Sequence, residues 1–230
     1  MLTRQDYEEG QVVLIDKPRE WTSFDVIRRM RKITGVKTVG HAGTLDPLAT
    51  GLLIVCTGRF TKKINEYMAQ VKEYTGTITL GSTTPTFDLE SEPENFLSTE
   101  SINAESVVAA TAQFTGVILQ HPPIHSAIKK DGQRLYTLAR QGIEVKTEAR
   151  QVTVHEFEVV HVDMPVVTFR IVCSTGTYIR SLANDLGAAL GCGGYLSSLR
   201  RTRIGAFSVD DAIDITEAPA VEGSSQVLIG

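Results

Sequence analysis

The order of hydrophobic and polar residues predicts buried strands and an amphipathic helix in the first part of the chain. The apolar run in QVVLIDKP predicts a buried strand over 11–16. The next segment, TSFDVIRRMRKITG, predicts a helix that begins at a capping box of Thr22 and Asp25 and ends before Gly35. One face of this helix is apolar and consists of Val26, Ile27, Met30 and Ile33. A loop is predicted to follow, and then a second buried strand over 52–58.

The remainder of the chain contains more strand patterns than helix patterns. Further strands are predicted at 72–81, at about 151–162, at about 165–174 and in GGYLSSLRRTRIGAF. Helices are predicted in TKKINEYMA, over 103–114, in QRLYTLARQG and over about 177–190. Because strands often follow strands directly, we expect an α+β fold with a mixed, largely antiparallel central sheet flanked by helices and loops.

Composition excludes several classes of protein. The 230 residues are 42% hydrophobic and 22% charged, as in ordinary globular proteins. No apolar run is long enough to predict a membrane-spanning helix, and MLTRQDYEEG lacks the apolar region of a signal peptide. The cysteines Cys56, Cys173 and Cys192 are far apart, which argues against a disulfide framework or a zinc site and fits a reducing cytosol.

The charge is unevenly distributed, although the net charge of −4 does not by itself indicate a nucleic-acid binder. Basic residues cluster at 28–37, 59–63, 129–134 and 200–203, whereas 88–105 is acidic. Two interpretations stay open at this point. The clusters are either ordinary solvated faces or parts of a surface that binds phosphate groups.

The segment GHAGTLDPLATG contains a single carboxylate, Asp46, between two basic stretches. Glycines on both sides and Pro47 after it are suited to holding the carboxylate in a fixed position on a loop. Nearby positive charge favours the ionised form, which suits nucleophilic catalysis. The alternative is an aspartate that accepts backbone amides in a turn. His41, five residues earlier, either orients a substrate or is an ordinary loop histidine.

Two further segments carry candidate chemistry. Tyr74, on the apolar face of its strand, is either a core residue or a ring that stacks on a planar ligand. STGTYIRSL places Tyr178 and Arg180 at the start of a helix, where an arginine is disfavoured by the helix dipole. Such an arginine calls for a carboxylate partner, for which Asp46 is the natural candidate. The alternative is an arginine that points to solvent.

Four segments, in this order, resemble the bacterial tRNA pseudouridine-55 synthases of the TruB type. They are IDKPREWTSFDVIRRMRKITGVKTVGHAGTLDPLATGLLIVCTGRFTK, KEYTGTITLGSTTPTFD, QHPPIHSAIKKDGQRLYTLARQG and CSTGTYIRSLANDLGAALGCGGYLSSLRRTRIG. Together they cover nearly all of the chain to about residue 207. The length and order of these blocks make the resemblance far more specific than a single short motif.

The resemblance implies a pseudouridine-synthase-like fold and the isomerisation of uridine 55 in the T arm of tRNA, with base flipping and an aspartate nucleophile. The implied catalytic residues are Asp46, Tyr74 and Arg180. The implied substrate-binding residues are His41, Tyr178, Leu199 and Lys17. A loop at about 120–142 is implied to grip the T stem-loop, and its basic side chains are Lys129, Lys130 and Arg134. No metal and no cofactor are implied.

The sequence departs from the family pattern in two ways. Glu20 occupies the position of the usual glycine in the family's KPxGxTS turn. Because glutamate is disfavoured at positive φ, we expect a rebuilt turn, which bears on the placement of Lys17. Many relatives also carry a C-terminal RNA-binding domain of the PUA type. We expect here a single catalytic domain over 1–230 without it, in a cytoplasmic monomer whose partner is tRNA and not a membrane.

Two other classes of function remain open. The first is an RNA-binding or RNA-folding protein that retains the same scaffold without essential catalysis. The second is a hydrolase or phosphatase with an aspartate nucleophile. Phosphatases of this kind commonly have a second aspartate two residues after the first, whereas Leu48 stands there in this chain.

Overall fold

The computed structural model describes residues 2–123 and 147–218, together with the backbone of two short strands at Lys129–Lys130 and Gln133–Arg134. The helices are α1 (Arg4–Glu9), α2 (Ser23–Thr34), α3 (Ile64–Met68), α4 (Ala104–Thr111) and α5 (Ile179–Ala189). The first strands are β1 (Val12–Lys17), β2 (Val39–Ala42), β3 (Thr50–Thr57), β4 (Lys72–Leu80), β5 (Gly116–Gln120), β6 (Lys129–Lys130) and β7 (Gln133–Arg134). The others are β8 (Arg150–Asp163), β9 (Val166–Cys173), β10 (Gly194–Ile204), β11 (Phe207–Ser208) and β12 (Ile213–Asp214).

The chain forms two compact units. The first consists of Met1–Tyr74 and Arg200–Gly230, and the second of Thr75–Leu199. The chain passes from one unit to the other within β4 and again within β10.

In the first unit, helix α2 forms where local sequence signals predicted it. Thr22 and Asp25 form the capping box, and Gly35 ends the helix in the left-handed conformation with φ 69°. Its apolar stripe packs against Leu53 and Val55 of β3 in one cluster of buried side chains. Alternate residues of β3 enter a second cluster on the opposite face, and they are Leu52, Ile54 and Cys56. Because both faces of β3 are covered, its sequence is continuously apolar rather than alternating.

The strands of the first unit pair in both directions. β3 is antiparallel to β1 and to β2, and β12 is parallel to β1. The end of β10 runs parallel to the start of β3, with Arg201 opposite Gly51. Gly51 has φ 101°, and a Cβ atom there would lie 2.3 Å from the carbonyl oxygen of Arg201. Only a glycine permits this close approach of the two strands.

The second unit contains an antiparallel arrangement in which β8 pairs with β5 on one side and with β9 on the other. β4 lies next to β9, followed by β10. Helix α5 has the predicted buried stripe, which consists of Ile179, Leu182, Ala183 and Leu186. The α+β class with a mixed, mostly antiparallel sheet flanked by helices is therefore confirmed.

Several local predictions differ from the structure. The loop predicted after α2 contains strand β2, and β5 was not predicted. The helix predicted in QRLYTLARQG begins instead with strand β7, which pairs with β6. The rest of that predicted helix and the last twelve residues lie outside the described residues. Within the described part of the chain, no helix is both long and apolar enough to cross a membrane.

Candidate active site

Asp46 lies half-buried in the turn between β2 and β3, and the peptide before it is held by α2. The hydroxyl group of Ser23, at the first turn of α2, accepts a hydrogen bond from the Leu45 amide at 2.9 Å and donates one to the Leu45 carbonyl at 3.1 Å. The carbonyl of Asp46 accepts the amide of Ala49 at 3.1 Å. The loop around the predicted nucleophile is therefore fixed by main-chain contacts on both sides.

Lys17 is completely buried, and its ammonium group contacts the same loop. Its Nζ donates hydrogen bonds to the carbonyls of Pro18 at 2.9 Å, Trp21 at 2.6 Å and Pro47 at 3.2 Å. Burial lowers the pKa of Lys17 to about 8, while the negative charge of Asp46 acts in the opposite direction. Lys17 thus binds the residue that follows Asp46 and is electrostatically coupled to Asp46 itself.

The expectation that Glu20 forces a rebuilt turn is wrong. Glu20 adopts the left-handed conformation with φ 70°, in the position where the family has glycine. Its amide donates a 2.8 Å hydrogen bond to the Pro47 carbonyl. A non-glycine residue in this conformation costs on the order of 1–2 kcal/mol. The hydrogen bonds from Glu20 and from Lys17 to Pro47 offset this strain, so the turn and Lys17 stay beside the Asp46 loop.

His41 lies on strand β2 rather than in a loop, opposite Val55. Burial, and secondly the positive charge of Arg201, lower the pKa of His41, so the imidazole is neutral at physiological pH. Its buried Nδ1 has no hydrogen-bond partner among the described residues. A buried ring nitrogen of this kind can hydrogen-bond to a polar group of a substrate.

Arg201 is a buried residue beside the Asp46 loop that was not singled out in the sequence. It belongs to the basic cluster at 200–203 but is only 1% exposed. Its Nε donates to the Leu52 carbonyl at 2.8 Å, and its guanidinium donates to the Gly43 carbonyl at 3.0 Å. Arg201 therefore fixes both ends of the segment that contains Asp46. The only signal for it in the sequence was a charge run, which also describes an exposed face.

Tyr74 is the last β4 residue of the first unit and is 8% exposed. It lies on the buried face of β4, as the alternation predicted, where Ile78 and Leu80 follow in the second unit. Leu199 is the last β10 residue of the second unit and is half-buried. Each residue thus stands where the chain passes between the two units.

Arg180 is buried near the start of α5, and within the second unit it faces a carboxylate from the acidic stretch at 88–105. Its Nε lies 3.6 Å from Oδ2 of Asp88, which is also buried. Its Nη1 donates a 3.1 Å hydrogen bond to the Thr86 carbonyl. A buried guanidinium requires such compensation for its lost hydration. The predicted pairing of Arg180 with Asp46 stays a prediction.

The remaining predicted residues lie at the start of α5 and in the strands β6 and β7. Tyr178 is the half-buried N-cap residue of α5, two positions before Arg180. The backbones of Lys129, Lys130 and Arg134 lie in the β6–β7 hairpin, whereas their side chains are outside the described residues. In the described ranges, no group of three or more potential ligands is arranged to hold a metal ion.

The structural comparison identifies the class of protein. A chain from the crystal structure of a Cbf5–Nop10–Gar1 complex matches with a TM-score of 0.72 and 29% identity over 94% of this chain. A chain from an H/ACA RNP bound to a substrate RNA containing 2'-deoxyuridine matches with a TM-score of 0.68 and 27% identity over 92% of this chain. This chain spans just over half of the length of each of them, 55% and 52% respectively. The fold is that of a pseudouridine synthase.

Sequence comparison identifies the family within that class. Residues 31–179 match the N-terminal domain of the TruB family of pseudouridylate synthases, and residues 180–221 match a tRNA pseudouridylate synthase B C-terminal domain. The chain belongs to the TruB family. It is 52% identical to a tRNA pseudouridine synthase B of Flavobacterium johnsoniae, over 94% of this chain and 97% of the relative. It is 49% identical to the protein of the same name from Parabacteroides distasonis, over 89% of this chain and 90% of the relative.

Proposed function

We propose that this enzyme converts uridine 55 in the T arm of tRNA to pseudouridine, with Asp46 as the nucleophile. Membership of the TruB family and the shared name of the relatives in Flavobacterium johnsoniae and Parabacteroides distasonis support the substrate. The observation that carries the assignment of Asp46 is its loop. Three buried side chains from separate elements, Lys17, Ser23 and Arg201, hold the main chain around this one carboxylate. Such rigid support is what a reacting group requires.

The reaction is an isomerisation that needs no external reactant. The bond between ribose C1' and uracil N1 breaks, the base turns, and a bond forms between C1' and C5. The hydrogen on C5 leaves as a proton, and N1 acquires one. The ionised Asp46 initiates this sequence by attack on the ribose, by proton abstraction or by addition to the base. In each case Arg180 is the proposed counterion that keeps Asp46 charged and oriented.

The target base must leave its stack before it can react, which costs a few kcal/mol. We assign the compensating contact to the ring of Tyr74, since stacking of a base on an aromatic side chain contributes about 1–3 kcal/mol. The neutral His41 and the side chain of Tyr178 provide polar contacts to the flipped uridine. Leu199 supplies an apolar wall that excludes water from the freed base.

The RNA is gripped by the loop at about 120–142, with Lys129, Lys130 and Arg134 next to phosphate groups. Each phosphate contact releases a counterion, so these contacts make affinity depend on salt. Replacing all three residues with alanine is expected to weaken tRNA binding and to flatten its salt dependence, as measured by filter binding across a range of salt concentrations. An unchanged slope contradicts the assignment of this loop. We place the reaction in the cytoplasm, where tRNA is found.

The proposed function is tested by mapping modified uridines in an unmodified tRNA transcript after incubation with the purified protein. One pseudouridine in the T arm is the expected result. Refolding of tRNA without any pseudouridine formation supports the alternative of an RNA-folding protein. Conversion of uridines outside the T arm contradicts the proposed site.

A further inference from the structure

Gln120, the last residue of β5, holds the main chain of Tyr178 by both ends of its amide group. Its Oε1 accepts the Tyr178 amide at 2.7 Å, and its Nε2 donates to the Tyr178 carbonyl at 3.0 Å. Because a backbone N–H can only donate and a carbonyl can only accept, one orientation of the Gln120 amide satisfies both bonds. The side chain is 2% exposed, so water does not compete for these contacts.

The position that Gln120 contacts is the start of α5, which has no cap of its own. Tyr178 is the N-cap residue and makes no side-chain capping hydrogen bond. Helix starts leave amide groups unsatisfied unless another group binds them. Gln120, which belongs to strand β5, binds the amide at the start of α5. Its two hydrogen bonds to one residue resemble those that a neighbouring strand makes to an extended residue. The first turn of the helix carries Arg180, so the main chain at Tyr178 determines where both residues lie.

A second contact next to Gln120 reinforces the same junction. Ser181, in the first turn of α5, donates a 2.9 Å hydrogen bond to the carbonyl of His121. The Nδ1 of His121 lies 3.0 Å from the carbonyl oxygen of Thr147, the first residue of the described range 147–218. Two consecutive residues, Gln120 and His121, therefore join the end of β5 to the start of α5.

We propose that Gln120 is a positioning residue, which fixes the start of α5 so that Tyr178 and Arg180 occupy their places in catalysis. The proposal rests on the proposed function, in which these two residues act on the uridine. Gln120 itself is buried against the main chain and touches neither base nor ribose in this account. Its loss should therefore change the rate of the chemical step more than the affinity for RNA.

The test uses Gln120→Met, which keeps the length of the side chain and removes both hydrogen-bonding groups. The single-turnover rate constant for pseudouridine formation in a synthetic T-arm stem-loop is expected to fall about 10- to 100-fold, as for small displacements of reacting groups. The Kd for the same RNA is expected to stay within about threefold, because the phosphate contacts are unaffected. Hydrogen exchange of the Tyr178 amide, followed by NMR, is expected to accelerate in the variant.

One control and a second test variant separate positioning from a general loss of stability. Val167→Ala removes volume from the buried core of β9 in the same unit and leaves the Gln120 contacts in place. At temperatures equally far below each unfolding midpoint, this control should react at the wild-type rate. Gln120→Asn keeps the amide but is one methylene too short to span the gap, so it should also react slowly. It serves as the test variant if Gln120→Met does not fold.

The outcomes are distinguishable. If the wild type is active and a folded Gln120 variant reacts at the same rate, the positioning role is contradicted. The proposed function is not contradicted by that result. The same holds if Val167→Ala slows the reaction equally, or if the variant loses affinity and keeps its rate. A wild type that forms no pseudouridine contradicts the proposed function, and the role of Gln120 with it.

Discussion

Replacing Lys17 with methionine removes the ammonium group from the Asp46 loop and keeps a side chain of similar length. The wild-type ammonium donates to three carbonyls, those of Pro18, Trp21 and Pro47. Each hydrogen bond to a charged group is worth about 1.5–3 kcal/mol. Burial removes water from the ammonium group, and this cost opposes the gain from the hydrogen bonds. The same loss of hydration lowers the pKa of Lys17 from 10.5 to about 8.

The lowered pKa determines how stability depends on pH. The folded protein releases the Lys17 proton near pH 8, whereas the unfolded chain retains it up to about pH 10.5. Between these values the unfolded state binds more protons, so the free energy of unfolding rises with pH. One pKa unit corresponds to 1.36 kcal/mol, and the full shift therefore contributes roughly 3 kcal/mol. Between pH 7.5 and 9.5 the expected rise is about 2 kcal/mol.

The assay is urea unfolding of the wild type and of Lys17→Met at several pH values in this window. The quantity of interest is the difference between the two proteins in the free energy of unfolding. Other groups that titrate at high pH, such as the Cys56 thiol, whose pKa burial raises to about 11, are common to both proteins and cancel. We expect the difference to shift in favour of the wild type by about 2 kcal/mol as the pH rises from 7.5 to 9.5.

A difference that is independent of pH refutes this reasoning, because it means that Lys17 titrates alike in the folded and unfolded states. Activity provides a second readout. Without the ammonium group, the Pro47 carbonyl loses a donor and the peptide after Asp46 is held less firmly. Lys17→Met should therefore form pseudouridine at least about tenfold more slowly at pH 7.5. A wild-type rate in a folded variant means that Lys17 does not position Asp46.

Other substitutions test, by urea unfolding, the contacts that support the Asp46 loop and the side chain of Arg180. Arg201→Met leaves the carbonyls of Leu52 and Gly43 without this donor and should lower the free energy of unfolding by about 3 kcal/mol; a neutral effect contradicts its bridging role. Gly51→Ala places a Cβ 2.3 Å from the Arg201 carbonyl oxygen and should destabilise by about 3 kcal/mol. Gly116→Ala, at φ 93° in open space, should lose only about 1 kcal/mol, and equal losses contradict the close-approach argument. Asp88→Asn removes the carboxylate beside Arg180 and should cost roughly 3 kcal/mol; unchanged stability shows that this pair is not a stabilising contact.

The elements that sequence predicted well are those whose signals are local. The capping box, the apolar stripe and Gly35 all lie within α2, and together they define both ends and the buried face. Alternation likewise identified β4 and its buried Tyr74, since the side-chain period of a strand is independent of what covers it. The resemblance to a family then added Lys17 and Leu199, which no local pattern had singled out.

The predictions that failed concern residues whose burial or backbone conformation depends on distant parts of the chain. Arg201 and Asp88 look like surface charges in sequence, but they are buried because carbonyls and a guanidinium from elsewhere compensate them. Positive φ was expected to be unfavourable at Glu20, yet hydrogen bonds to the Pro47 carbonyl from Glu20 and Lys17 stabilise that conformation. His41 was placed in a loop because four residues of β2, read among glycines, carry too little pattern to predict a strand.

The central claim is that the carboxylate of Asp46 performs the chemistry on a T-arm uridine. Asp46→Asn changes this group with almost no change in shape. The most direct measurement is single-turnover pseudouridine formation by this variant on a tRNA transcript, alongside its tRNA affinity and its unfolding midpoint. The account predicts no detectable product, with affinity and midpoint close to those of the wild type. Product formation by Asp46→Asn at a rate near that of the wild type contradicts it.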